Sequence, residues 1–196
     1  MSKSTIISKA MRCIDEVTAG ADAPLEEGLF PTDVFFNEAL RWVIDVVPLR
    51  QLGEGEMLVL CSLDVSADGV GRGVLPDDFA RLISFKANDW VRPVVTPIYD
   101  TDAQYLQQSN RVLRGKPSRP IVAICNGKTI LEYYTTKTGD SYTAQYIPYD
   151  VTSIPPHLED MVAWKLAEIV LLSISDANAA AVCSARVKDI LTEMTV

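Results

Sequence analysis

His157 is the one histidine of the chain, and that narrows the chemistry the sequence can carry. A two-histidine metal site is excluded, and neither H-E-x-x-H nor C-x-x-C occurs. A serine triad would have to use His157, yet no G-x-S-x-G elbow is present. The residue follows Pro155 and Pro156 just inside a helix start, which favours an exposed or half-buried N-terminal position over a catalytic base. In "DGVGRGV", Gly69, Gly71 and Gly73 recur every second residue. That spacing fits neither a dinucleotide fingerprint nor a P-loop, and "LPDDF" after it is no strong helix start. The segment reads as a mobile loop.

Acidic and basic clusters pose two further questions. Asp64, Asp68, Asp77 and Asp78 could hold the paired metals of a nuclease, which needs carboxylates converging within about 4 Å. No following E-x-K or D-x-K element supplies the lysine such enzymes use, and Asp77-Asp78 after Pro76 resembles the cap of a short turn. Arg111, Arg114, Lys116 and Arg119 form a local basic cluster, read as a solvated loop before a phosphate clamp. Tyr133, Tyr134, Tyr142, Tyr146 and Tyr149 suggest cross-strand pairs more than a base-stacking platform. The net charge of −8 and pI near 4.7 weigh against phosphate neutralisation as a function. No catalytic, cofactor-binding or metal motif emerges, so the sequence predicts no enzyme and no cofactor.

These residues must be positioned by a chain of 196 residues, long enough to bury roughly 70% of its unfolded surface. The start, "MSKSTIISKAMRCIDEV", lacks the apolar core of a signal peptide. No run approaches the roughly 18 to 20 apolar residues of a membrane span. Cys13, Cys61, Cys125 and Cys183 are widely spaced and read as reduced, mostly buried residues of a cytosolic product. The expectation is a soluble chain without membrane contact.

Helical periodicity marks both ends. Ile6, Ile7, Ala10, Cys13, Ile14 and Val17 recur at three-and-four spacing after Ser4, a candidate N-cap. After "AGADAPLEEGLF", a second helix runs from Thr32 to the stop at Pro48, with Phe35, Phe36, Ala39, Leu40, Val43 and Val47 on one face. Near the other end, Pro155 and Pro156 launch a helix that is apolar over most of its circumference. Leu158, Met161, Val162, Leu166, Ile169 and Val170 form one face, and Ala163, Trp164, Ala167, Leu171 and Ile174 another. A last helix carries Ala180, Cys183, Val187, Ile190 and Met194 as a coiled-coil-like seam.

Between these ends the composition turns to β. "GEMLVLCSL" is one strand-like run, and "RLISFKANDWVRPVVTP" reads as two strands about a turn at Asn88-Asp89. Asn126-Gly127 sits between two β-branched and aromatic runs, as a type I′ hairpin turn requires. "GDSYTAQYIPYD" adds a third strand after a turn at Gly139-Asp140, and a helix is expected at about 100–114. The predicted class is therefore α+β: about four helices, two N-terminal and two C-terminal, in a bundle with an antiparallel hairpin or meander inserted. The domains expected are 1–50 (helical hairpin), 51–150 (β domain) and 151–196 (C-terminal hairpin packing on the N-terminal helices). Trp42, Trp90, Leu166 and Ile169 are predicted core.

Three segments together resemble the head–tail connector proteins of short-tailed bacteriophages, the rings or tail adaptors beneath the portal, with the nearest likeness to those of crAss-like and other Bacteroidetes phages. They are "GVLPDDFARLISFKANDWVRPV", "YLQQSNRVLRGKPSRPIVAICNG" and the terminal "IPPHLEDMVAWKLAEIVLLSISDANAAAVCSARVKDIL". The likeness spans about residues 4 to 195, and its motifs are packing and turn patterns without catalytic chemistry. It implies a virion protein made in the host cytoplasm and placed at the portal vertex. Its partners would be copies of itself in a ring, the portal and an adjacent tail or ring protein, with DNA passing through the channel without sequence-specific binding. It further implies that Met161, Trp164, Lys165, Glu168, Leu172 and Arg186 meet a neighbouring subunit. The second apolar face of the 156–172 helix would then be shared between the chain's own helices and that neighbour, although a helix can also be buried on both sides within one chain. Two other readings stay open: a small phage-encoded metal-dependent nuclease or hydrolase using Asp64–Asp78, and a non-virion assembly factor.

Overall fold

The structure, a computed structural model, describes residues 2–18, 31–136 and 142–195. In chain order its regular elements are α1 (Lys3–Val17), α2 (Thr32–Val46), β1 (Glu56–Met57), β2 (Cys61–Val65), β3 (Val70–Val74), β4 (Phe79–Ala87), β5 (Ile98–Tyr99), α3 (Ala103–Leu106), β6 (Val122–Cys125), β7 (Ile130–Tyr134), β8 (Tyr142–Pro148), α4 (Glu159–Ser173) and α5 (Ala177–Thr195). They divide into a helical unit, residues 1–53 with 149–196, and a β unit, residues 54–148.

The helical unit is organised around α4, which packs against α1, α2 and α5. α1 starts at Ser2, two residues before the expected cap, because the Ser2 hydroxyl accepts the Thr5 N–H at 3.3 Å. It buries Ile6, Ala10, Cys13 and Ile14. α2 begins at Thr32 itself, with Pro31 before it, and buries Phe36, Ala39, Leu40, Val43 and Ile44. A short 3₁₀ turn at Pro156–Leu158 leads into α4, whose first-turn Glu159 and Asp160 pair with Lys9 of α1. Met161, Val162, Ala163, Leu166, Ala167, Val170 and Leu171 are all buried, so most of both apolar faces of α4 is covered by helices of its own chain, while Trp164 and Ile169 are half-buried and Ile174 is exposed. The Asp176 carboxylate caps α5 at the Ala179 N–H, and Ala179, Ala180, Cys183 and Val187 lie buried along it. Ala179 and Ala180 lie buried near the start of α5, which packs against α4.

The β unit departs from expectation, and the predicted fold class is corrected with it. A bundle of about four helices carrying one antiparallel hairpin or meander is not what forms. Among the described residues there are five α-helices and two separate sheets. One is three-stranded, in the order β1-β8-β4; the other is five-stranded, β2-β3-β7-β6-β5, and mixed, because β5 runs parallel to β6. β7 and β8 follow each other in sequence but belong to different sheets, so the three-strand meander is absent. Strand alternation specifies faces, not which edge a strand joins. The turn expected at Gly139-Asp140 lies outside the described residues.

Three local expectations also change. The glycine-rich "VGRGV" is β3, an inner strand paired with β2 and β7. A Cβ on Gly71 would collide with the Tyr133 ring, and one on Gly73 would fall 2.7 Å from Leu60 Cβ. The alternate glycines are thus a strand face pressed under large side chains, a use of Gly that propensity alone does not reveal. The helix expected at about 100–114 is only the single turn of α3 followed by a 3₁₀ turn at Gln107–Ser109. Beyond it the Asn110 side chain accepts the Val112 N–H at 2.9 Å, and Leu106, Val112 and Leu113 remain exposed with no core to hold a helix down. Finally, the strand expected after Asn88-Asp89 is reduced to one bridge, Phe85 with Val94.

The Asn126-Gly127 hairpin forms between β6 and β7, with positive φ at both residues and at Lys128 as well (54°, 63° and 68°). Four residues, not two, therefore separate the last pair, Cys125 and Ile130. An aromatic centre holds the β unit together. Phe85 stacks on Tyr142 at 5.2 Å and meets Tyr133 at 4.9 Å and Trp90 at 5.5 Å. The Trp90 indole N–H donates to the Tyr134 carbonyl at 2.7 Å, so its polar end is satisfied inside the core.

Candidate functional site

β3, β7 and β6 bring together a polar cluster from residues that carry no motif in sequence. Arg72 on β3 and Glu132 on β7 are direct register partners, so their side chains share a face of the sheet. Arg72 Nε donates to Glu132 Oε2 at 2.8 Å, while Tyr134, two residues along the same face, donates its hydroxyl to Oε1. Glu132 is only 5% exposed, and a buried carboxylate needs both oxygens engaged in this way. The bond to Glu132 holds Arg72 above its ordinary pKa. Burial first, then the Glu132 bond, raises Tyr134 well above the usual phenol range. Tyr105 of α3 bonds to the Cys125 thiol of β6, and that bond with burial raises Tyr105 too. Burial likewise keeps Cys125 a thiol, a form that is not nucleophilic. A cavity of about 310 Å³ opens over Arg72, Tyr105, Gln108, Arg114, Glu132 and Tyr134. In this arrangement each polar group fixes its neighbour. Gln108, for example, donates to the Gln104 carbonyl and accepts the Gly115 N–H.

The residues singled out for chemistry in the sequence are dispersed. His157 is exposed just before α4. Asp64 stands opposite Arg72 on β2, Asp78 accepts the Tyr146 hydroxyl at 3.1 Å, and Asp68 pairs with Arg111 at 3.3 Å. Among the described residues no group of three or more His, Cys, Asp or Glu side chains converges as metal ligands. Tyr133, Tyr134 and Tyr146 are buried, so they offer no platform to a base.

The basic cluster folds back on its own backbone. Arg114 donates to the Asp68 carbonyl, and Arg119 donates to the carbonyls of Leu113 and Arg114. Lys116 and Arg119 close a tight turn, and the Val91 N–H donates to the Pro117 carbonyl at 3.2 Å. Segments 91–92 and 111–119 are thus joined, and they carry exposed Arg92, Arg111, Lys116 and Arg119, half-buried Arg114, and exposed Val91, Val112 and Leu113.

The expected interface residues of the helical unit separate into three kinds. Met161 is fully buried in α4 and is unavailable to a neighbour, because its face is closed by the chain's own helices. Trp164, Lys165 and Glu168 are half-buried; Lys165 Nζ bonds Glu168 at 3.0 Å and lies 4.6 Å from the Trp42 ring centre. Leu172 and Arg186 are exposed. Of the expected core residues, Trp90 and Leu166 are buried, whereas Trp42 and Ile169 are half-buried. The Lys165 ammonium sits over the Trp42 ring, a use of its ring face that apolar periodicity does not anticipate.

At the corner from α4 to α5, Leu172 is 54% exposed, Ile174 41% and Val182 49%. The unit that carries them is also where the negative charge resides. It holds eight Lys and Arg against fifteen Asp and Glu, whereas the β unit holds ten against eleven. Among the described residues no helix is long and apolar enough to cross a membrane. No protein-family model matches the sequence, and no curated protein is significantly similar to it.

Proposed function

We propose that this chain is a structural virion protein without enzymatic activity, a subunit of a ring beneath the portal that joins capsid to tail and surrounds the DNA channel. The observation that carries the reading is the exposure of large apolar side chains on the helical unit, Leu172 and Ile174 at the α4–α5 corner and Val182 on α5, each about half in water, with Val34 and Val46 of α2 exposed as well. Surface of this kind is what a protein–protein interface covers. The resemblance of the three segments to head–tail connectors supplies the identity of the assembly, and the polar groups of the β unit, engaged with one another, are consistent with a structural role.

A ring built from identical subunits needs heterologous contacts, in which one patch meets a different patch on the next copy. The partners are then further copies of the chain, the portal and an adjacent tail or ring protein. Quantitative mass spectrometry of purified, DNA-filled particles tests the reading by counting this chain against the portal protein. A count equal to the portal's, or a simple multiple, is expected. Absence from mature particles would overturn it in favour of a non-virion assembly factor or an enzyme.

A further inference from the structure

The cavity of about 310 Å³ over β3 and β7 is lined by groups whose hydrogen-bonding capacities do not balance. Arg72 of β3 and Glu132 and Tyr134 of β7 meet Leu106 of α3, Gln108 and Arg114 there. The acceptors are engaged. Glu132 takes Arg72 Nε on one oxygen and the Tyr134 hydroxyl on the other, and Gln108 Oε1 accepts the Gly115 N–H at 2.9 Å. The donors are in excess. Arg72 uses only Nε, and Arg114 uses one Nη on the Asp68 carbonyl. A guanidinium carries five N–H donors, so most of both forks has no partner among the described residues.

Charge is unbalanced in the same sense. Two guanidinium groups and one carboxylate line the cavity, which leaves one positive charge uncompensated. The neighbouring acids lie outside the lining. Asp68 pairs with Arg111, and Asp64, the register partner of Arg72 on β2, forms no ion pair with it. Val70 and Leu106 add apolar lining, and Leu106 is 75% exposed.

We propose that this cavity binds a small organic monocarboxylate, held by the Arg72 and Arg114 forks with its aliphatic part against Leu106 and Val70. Three features select that class. The open groups are cationic donors, which suit the paired oxygens of a carboxylate. A single surplus positive charge matches a monoanion, whereas a phosphate dianion would set a second negative charge beside buried Glu132 with no cation to answer it. An inorganic anion would also leave the leucine in water, where a short hydrocarbon would cover it. The inference goes beyond the ring reading and does not depend on it.

The test uses the full chain at neutral pH, with sodium butyrate as the probe and sodium chloride holding ionic strength constant. Proton–nitrogen NMR should show saturable shifts of the Arg72 and Arg114 Nε–Hε signals and of the Gly115 amide, and acetate should bind more weakly than butyrate. Leu106→Asp sets a negative charge in the lining at an exposed position, and Arg114→Gln removes one fork while leaving both Glu132 bonds in place. Each should weaken butyrate about tenfold or more, the loss expected for one charge-assisted bond, with circular dichroism unchanged. Leu106→Ala should retain carboxylate binding and lose the preference for butyrate over acetate. Shifts that rise without saturating, inorganic phosphate binding more tightly than butyrate, or variants that bind butyrate as the unaltered chain does would each overturn the proposal. None of these outcomes alters the particle count, which tests the ring reading alone.

Discussion

Replacing Leu172 with glutamine separates an interface side chain from a core one. Leu172 lies in the last turn of α4 and is 54% exposed, and Ile174 and Val182 are exposed to a similar degree. Fully burying such a side chain contributes about 1.5–3 kcal/mol, so covering the wet half of each is worth roughly 1 kcal/mol. For the three together that is about 3 kcal/mol, or on the order of 100-fold in Kd. Glutamine is a good helix former and leaves the helix ends uncharged, so the isolated chain should change by no more than about 0.5 kcal/mol. In the assembled state the variant loses the leucine's share and buries an amide without a partner, a further cost of about 1–3 kcal/mol. Assembly should therefore weaken by roughly 30- to 1000-fold while the urea midpoint of the free chain stays put. Sedimentation and uptake into particles measure the first quantity, and urea unfolding the second. Unchanged assembly would show that the corner faces solvent in the particle. A midpoint loss corresponding to several kcal/mol would show that Leu172 belongs to the core, and in either case the reasoning from its exposure is wrong.

Further outcomes are expected elsewhere. Gly71→Ala forces a methyl group into the Tyr133 ring and should destabilise the β unit by about 1–3 kcal/mol in urea unfolding followed by near-UV circular dichroism; an unchanged transition would mean that the ring moves aside freely. Glu132→Ala leaves the buried Tyr134 hydroxyl without its acceptor and should cost on the order of 1–3 kcal/mol, part of which Tyr134→Phe in the same chain restores; a double variant no better than the single one contradicts the pairing. Burial, with the Asp78 bond, pushes the Tyr146 phenol up to about 12 from 10, so the folded state holds that proton more tightly than the unfolded chain. Its contribution to stability is complete below pH 10 and lost as pH rises from 10 to about 12, and Tyr146→Phe should flatten that part of the stability profile. Duplex DNA should bind negligibly at physiological salt, because the net charge of −8 opposes it; filter binding with a log–log salt slope of about −4.5, the value for some five neutralised phosphates, would assign the loop cations to DNA.

The helices were legible because burial and sequence period coincide. Ile6, Ala10 and Ile14, or Ala180, Cys183 and Val187, mark an inward face whatever lies opposite. The Asn126-Gly127 hairpin was legible because positive φ demands particular residues, although nothing in the sequence indicates that Lys128 also enters that region and lengthens the loop. β3 was illegible for the converse reason. Its glycines carry no side-chain pattern, and their purpose lies in Tyr133 and Leu60, which are far away in sequence. The assignment of β8 to the sheet of β1 and β4, and the Arg72–Glu132–Tyr134 cluster, both depend on long-range pairing that no local period encodes. The 100–114 segment misled because its spacing suits a helix, but Leu106, Val112 and Leu113 have nothing to pack on. For the interface, periodicity placed Met161 on an apolar face without revealing that α1, α2 and α5 close around α4.

The division of charge gives the ring reading its physical form. The unit built from both chain ends holds fifteen of the acidic residues, whereas the inserted β unit is nearly balanced and carries five of its ten cations on segments 91–92 and 111–119. A wall that passes DNA must not hold it, and the helical unit, at −7, has the sign that repels phosphate. The same charge would also hold like subunits apart, so assembly needs a local attraction strong enough to offset it. Arg114 and Arg119 are held against backbone carbonyls rather than carboxylates, so their charge stays available to such an attraction. Repulsion toward the channel and adhesion between neighbours can then coexist in one acidic protein, provided that the two functions use different surfaces.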